Sequence, residues 1–139
     1  MGKSSGESNA GRSGQAETVL GKIRVKRVHD APDETDGLRI LVDRLWPRGL
    51  TKEKATVDIW AKELAPSHGL RIWYGHDPSK WQEFKKRYAA ELKEKPAEVE
   101  KLVHAIQKRT AILLYASKEK QFNNAVALRE YLEARTRKA

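Results

Sequence analysis

Cysteine is absent from these 139 residues, and methionine occurs once. Without thiols there is no disulfide scaffold, no thiol nucleophile and no zinc-thiolate site, and the composition suits a reducing compartment. No stretch approaches the roughly 18 to 20 consecutive apolar residues that span a bilayer. The longest apolar run is the short block around Ile112 to Ala116. The N-terminus lacks the basic, apolar and small-residue succession of a secretory signal, so a cytoplasmic location with no membrane partner is expected. Glycine-rich phosphate loops, G-x-S-x-G elbows and H-E-x-x-H helices are missing too. No cofactor and no metal are therefore expected, and His29, His68, His76 and His104 stand too far apart for a ligand pattern.

The chain is instead rich in charge. Lys and Arg number 28 against 19 Asp and Glu, a net charge of +9. Such a surface attracts phosphates, nucleic acid or anionic membrane, although lysines interspersed with glutamates on helices also serve plain solubility. Residues 1–21 are mostly Gly, Ser and small polar residues that bury too little apolar surface to offset ordering entropy, so a flexible tail is expected there. Residues 22–135 then form a single domain, followed by a short basic tail at 136–139.

Ile23, Val25 and Val28 alternate with Arg24, Lys26 and Arg27, a first strand. Leu38–Leu45 reads as a second strand, which must end at Trp46-Pro47 because proline lacks a ladder donor. Thr51 caps a helical turn through Ala55, and Val57–Leu64 fits a strand in its first half and a helix overall, the short third strand being the preferred reading. Ser67 caps a helix through Tyr74. Asp77 and Pro78 open a helix bearing Trp81, Phe84, Tyr88 and Leu92 at helical spacing. Pro96 opens another with Val99, Leu102, Val103 and Ile106 inward, Thr110–Ala116 is a buried strand, and Asn123 or Asn124 caps the last helix. Strands separated by helices predict an α/β fold: a small, mainly parallel sheet of three to four strands with helices packed on it in three layers.

In such sheets ligands bind beyond the carboxyl ends of the strands. That rule selects Lys26 past the first strand, Asp43, Arg44, Trp46 and Arg48 past the second, and Lys62 past the third. Tyr115 and Lys118 follow the last, with Asn123 and Asn124 at the next helix start. Arginine forks and free helix N–H groups suit phosphate or carboxylate oxygens, so a small anionic ligand is the expected partner. Asp43 and His76 are the candidate proton-transfer groups if there is catalysis. Each has a plain alternative: Asp43 pairing with Arg44 to end a strand, and His76 shaping the turn that Asp77 caps. Trp46 and Trp73, beside Pro47 and Gly75, supply the aromatic faces for a different function, nucleic-acid binding by stacking. They equally suit an accessory protein that contacts a partner.

The strings LVDRLWPRGL at 41–50, KELAPS at 62–67, IWYGHDPSKWQEFKKRY at 72–88 and LLYASKEKQFNNAVALREYL at 113–132 resemble the YeaO-like family, small bacterial proteins of unknown function. The resemblance spans about residues 22 to 134. It implies a small α/β domain and no particular activity. It singles out Asp43, Arg44, Trp46, Pro47, Arg48 and Gly49, then Lys62, Pro66, His76 and Asp77, then Tyr115, Asn123 and Asn124. Relatives typically carry histidine where this chain has Phe122, which weakens any enzyme built on the last loop.

Overall fold

A computed structural model describes residues 21–107 and 109–138. The expected flexible tail over residues 1–20 lies outside them. Within the described residues four strands, β1 (Ile23–Arg27), β2 (Leu38–Leu41), β3 (Ile59–Trp60) and β4 (Ala111–Tyr115), pair in the order β1-β4-β2-β3. Every pairing is parallel, with Val25 beside Leu113 and Leu113 beside Ile40. The fold is therefore a small α/β fold. β4, the last strand in sequence, lies inside the sheet and is buried throughout, which is why its apolar run is continuous rather than alternating.

Among the described residues five helices accompany the sheet: α1 (Lys52–Ala55), α2 (His68–Tyr74), α3 (Trp81–Lys93), α4 (Pro96–Ile106) and α5 (Asn124–Lys138). Period-two alternation sends Ile23, Ile40, Val42, Ala111, Leu113 and Tyr115 to one face, where they meet Phe84, Tyr88 and Leu92 of α3, Val99 and Val103 of α4, and Leu128 and Leu132 of α5. The other face is thinly covered. Leu41, Ile112, Leu114 and Val28 pack there against Ala55 of α1, with Trp46, Leu50 and Val57 at the margin.

The capping residues act as their chemistry dictates. Thr51 accepts from Lys54 N–H, Ser67 from Leu70 N–H, and Asp77 from Ser79 N–H. Asn123, rather than Asn124, caps α5 by accepting from Val126 N–H at 2.9 Å. Asp77 and Pro78 open a 3-10 turn, Pro78–Lys80, before α3 itself begins at Trp81. Two strands are shorter than their apolar runs. β2 stops at Leu41 rather than Leu45, and only Ile59–Trp60 of the third run forms a strand, with Lys62–Leu64 in a 3-10 turn. α5 continues through 136–138, so the sequence boundary at Arg135 is not a structural one.

The thin face carries a buried charge cluster. Asp36 is 2% exposed and is met by Lys26 at 3.2 Å, Arg39 at 2.5 Å and Arg24 at 3.9 Å. Arg39 also donates to the carbonyls of Ala55 (2.8 Å) and Thr56 (3.0 Å), closing the C-terminal end of α1. Gly37 makes the turn into β2 possible. Its φ of 72° is left-handed, and a Cβ there would stand 2.3 Å from the Thr110 carbonyl oxygen.

Candidate functional site

β2 and β4 are neighbours, yet the chain leaves them in opposite directions: from β2 toward α1 on the thin face, from β4 toward α5 on the thick one. Parallel sheets open a crevice where successive connections diverge in this way. A cleft of about 320 Å³ lies there, lined by the segment 43–48 after β2, by Ala116, Ser117 and Asn124 after β4, and by Arg71, Ile72 and Tyr74 of α2 with His76 beyond it.

Asp43 stands at the seam. Its carboxylate accepts from Ala116 N–H at 2.9 Å and from the Asn124 side-chain amide at 3.0 Å, joining the ends of β2, β4 and α5. The same Asn124 amide donates to the Val42 carbonyl at 3.0 Å, and the Trp60 indole N–H donates to the Asp43 carbonyl at 2.8 Å. These sideways bonds take up the groups with which β2 would continue, so the strand ends although Leu45 prolongs the apolar pattern. Burial pushes the Asp43 carboxyl above its usual range, against the opposing pull of the Asn124 and Ala116 donors and the charge of Arg71.

Around this carboxylate stand Arg44, Arg48 and Arg71. Among the described residues none of the three has a carboxylate within salt-bridge distance. The Arg44 Nε is buried with no hydrogen-bond partner. A guanidinium fork so placed has donors to spare for an anion.

The structure thus brings Asp43, Arg44, Trp46, Arg48, His76 and Asn124 to one cleft, and leaves the other candidates elsewhere. Lys26 lies within β1, not past it, and faces the thin side, where Asp36 holds it. Lys62 follows the edge strand, its ammonium 5.0 Å above the Trp60 ring. Tyr115 points into the thick core, where burial foremost raises its hydroxyl pKa. Asn123 is spent on its cap, donating to the Glu119 carbonyl as well. Lys118 is exposed on the loop after β4, outside the cleft lining.

Arg71 was not among the sequence candidates. It lies one turn before the inward-facing Tyr74 on α2, but only tertiary packing sets α2 over the strand ends. Tyr74 and Phe84 stack at 4.3 Å in the cleft wall, and the Tyr74 hydroxyl donates to the Phe122 carbonyl at 2.7 Å. Burial, with Glu119 and Asp77 nearby, pushes that hydroxyl up to about 12, so it stays a donor. The Phe122 ring packs 5.4 Å from Trp81, an apolar role in place of any ionisable one.

The tryptophans expected to stack on bases have partners of their own. Trp46 meets Trp60 edge-on at 5.4 Å and donates to the Leu50 carbonyl. Trp73 has Lys80 over its ring at 5.1 Å and Arg87 at 4.1 Å. Among the described residues no helix is long and apolar enough to cross a membrane, and no group of three metal-ligating side chains occurs.

Fold and cleft together define a parallel α/β domain with a cationic crevice at its topological switch point. The chain belongs to the family described as the inactive DUF488-N3 subclade, whose model matches residues 22–139. It is 38% identical over 112 residues to the uncharacterized protein YeaO of Escherichia coli strain K12, covering 81% of this chain and 97% of that one. It is 47% identical over 76 residues to the uncharacterized proteins Mb3100c of Mycobacterium bovis and Rv3073c of Mycobacterium tuberculosis strain H37Rv, covering 55% of this chain and 64% of each. The YeaO-like resemblance in the sequence is therefore shown. No solved structure matches the chain.

Proposed function

We propose that this protein binds a small anionic ligand, phosphorylated or carboxylated, in the cleft at the ends of β2 and β4, and that it does so without turnover. One observation carries the reading: three arginines from two separate segments meet there with no carboxylate partner among the described residues, and one of them has a buried, unbonded Nε. The Ser117 hydroxyl lines the same cleft. Binding rather than catalysis is supported by the family's description as inactive, by Phe122 in the last loop, and by Asp43, whose two oxygens both already accept hydrogen bonds. A cytoplasmic setting, which the cysteine-free composition suits, belongs to the same reading.

Titration with inorganic phosphate, pyrophosphate, sugar phosphates and small carboxylates tests it, read as thermal shift and by calorimetry. A ligand at a hundred times its Kd stabilises by about 2.7 kcal/mol, on the order of 10 °C for a domain of this size. Arg44→Ala and Arg71→Ala are each expected to cut the shift to about half or less. If no anion moves the wild-type transition, the proposal fails. Nucleic acid would instead show itself by affinity falling steeply with salt and indifferent to Arg71→Ala.

A further inference from the structure

The cleft carries a second chemistry beside its charge. Among the described residues the most exposed large apolar side chains are Leu45 and Ile72, each 67% exposed, with Trp60 next at 38%. Leu45 and Ile72 come from different segments, the loop after β2 and helix α2, yet both line this one cleft. Each directly follows a cleft arginine, Arg44 in one case and Arg71 in the other. Single exposed aliphatics are ordinary on a protein surface, but two flanking one concavity beside unpaired cations are not a random scatter. The wall is also aromatic: Tyr74 stacks on Phe84, its hydroxyl turned away to Phe122, and Trp46 and Pro47 line the cleft as well.

From this geometry we infer that the ligand is amphipathic: one acidic group for the arginines, joined to an apolar body, aromatic or branched aliphatic, that covers Leu45 and Ile72. The inference rests on the anion-binding reading and specifies its ligand class. Charge complementarity fixes the acidic end, since the lining holds three arginines against Asp43. Size favours a small molecule over a peptide or a second copy of the chain. The volume of about 320 Å³ is at the lower end for small-molecule pockets. An apolar body seated between the two side chains removes from water surface that the free protein leaves wet, and that gain is absent for a bare anion.

The test uses the full chain and matched probes in calorimetric titrations: inorganic phosphate against phenyl phosphate, and acetate against 3-phenylpropionate. The aromatic acid of each pair is expected to bind at least about tenfold more tightly, equivalent to about 1.4 kcal/mol. In Leu45→Ser/Ile72→Ser that advantage is expected to shrink to less than about threefold. Both positions are exposed, and Leu45→Gln with Ile72→Gln gives a second variant pair if serine perturbs the fold. Equal affinity within each pair in the wild type overturns the inference and leaves the anion reading standing. No binding by any probe overturns both. Loss of phosphate binding in the serine variant, or wild-type self-association that the variant abolishes in sedimentation, also overturns it, since the apolar pair would then serve the fold or a second copy.

Discussion

Two aspartates that flank β2 have opposite fates. Asp36 is buried among Arg24, Lys26 and Arg39, and although burial pushes its carboxyl up, the Asp33 N–H bond and the Lys26 and Arg39 donors outweigh that and hold it below the usual range. Asp43 has only neutral donors in contact, Asn124 and Ala116 N–H, and burial wins, leaving its carboxyl raised. The charge of Arg71 pulls it down without overcoming burial. Where charge is matched within the chain, the cluster serves the fold; where cations outnumber and avoid the local carboxylate, the excess is open to a ligand.

The largest effect expected from breaking this contrast is at the matched site. Asp36→Asn leaves the buried Arg39 without its carboxylate and is expected to cost about 3 to 5 kcal/mol in urea unfolding, with phosphate affinity per folded molecule unchanged. The pH dependence follows the same sign. Because the folded carboxyl is held low, its stabilisation is present above the unfolded value of about 4 and is lost as pH falls through the lower folded value. Asp36→Asn should therefore remove part of the acid-induced loss of stability. An unchanged acid limb would show that the cluster is not the acid-sensitive element.

At the unmatched site the same experiments are expected to reverse. Arg71→Ala should lower affinity for the phenyl phosphate probe by about tenfold to a hundredfold, the value of a charged hydrogen bond, while stability changes by no more than about 0.5 kcal/mol. Asp43→Asn removes a charge that burial disfavours, so stability at neutral pH should fall by no more than the one neutral hydrogen bond lost, about 1 kcal/mol. Anion affinity should rise several-fold, on the order expected for removing one like charge at a partly wet site. In the wild type the same rise should come with acid. Asp43, with its folded pKa raised, contributes stability that is full below the unfolded value and is lost as pH rises through the folded value, and anion binding strengthens over that window as the carboxyl is neutralised. Affinity that ignores both the substitution and pH between about 4 and 7 would place Asp43 outside the ligand's field.

Much of the fold was legible because local chemistry decided it. The alternation around Val25, the run at Ile112–Leu114, and the caps at Thr51, Ser67 and Asp77 act within a few residues. The strand order was not legible, since nothing local places β4 between β1 and β2. Arg24 and Lys26 read as a polar strand face, but that Asp36 folds over them depends on the left-handed turn at Gly37. The segment 43–48 was legible as a site by one rule about strand ends, whereas Arg71 and Ile72 required knowing where α2 docks.

The smallest effects test whether strain follows the same division. Thr56 and His76 both have left-handed backbones, with φ of 44° and 56°. Thr56 ends α1 in that conformation, its N–H donating to the Lys52 carbonyl and its own carbonyl accepting from Arg39, so its geometry belongs to the matched cluster. His76 follows the left-handed Gly75 and lines the cleft. Glycine relieves such backbone strain, worth about 1 kcal/mol or more, but returns part of it through the entropy of the unfolded chain. Thr56→Gly, with a β-branched side chain to relieve, is expected to stabilise by up to about 1 kcal/mol and to leave anion binding alone. His76→Gly should gain less, about 0.5 kcal/mol or under, and should weaken binding of the phenyl phosphate probe by removing an imidazole from the cleft rim. Equal effects of the two substitutions on binding would mean that His76 shapes only the turn that Asp77 caps.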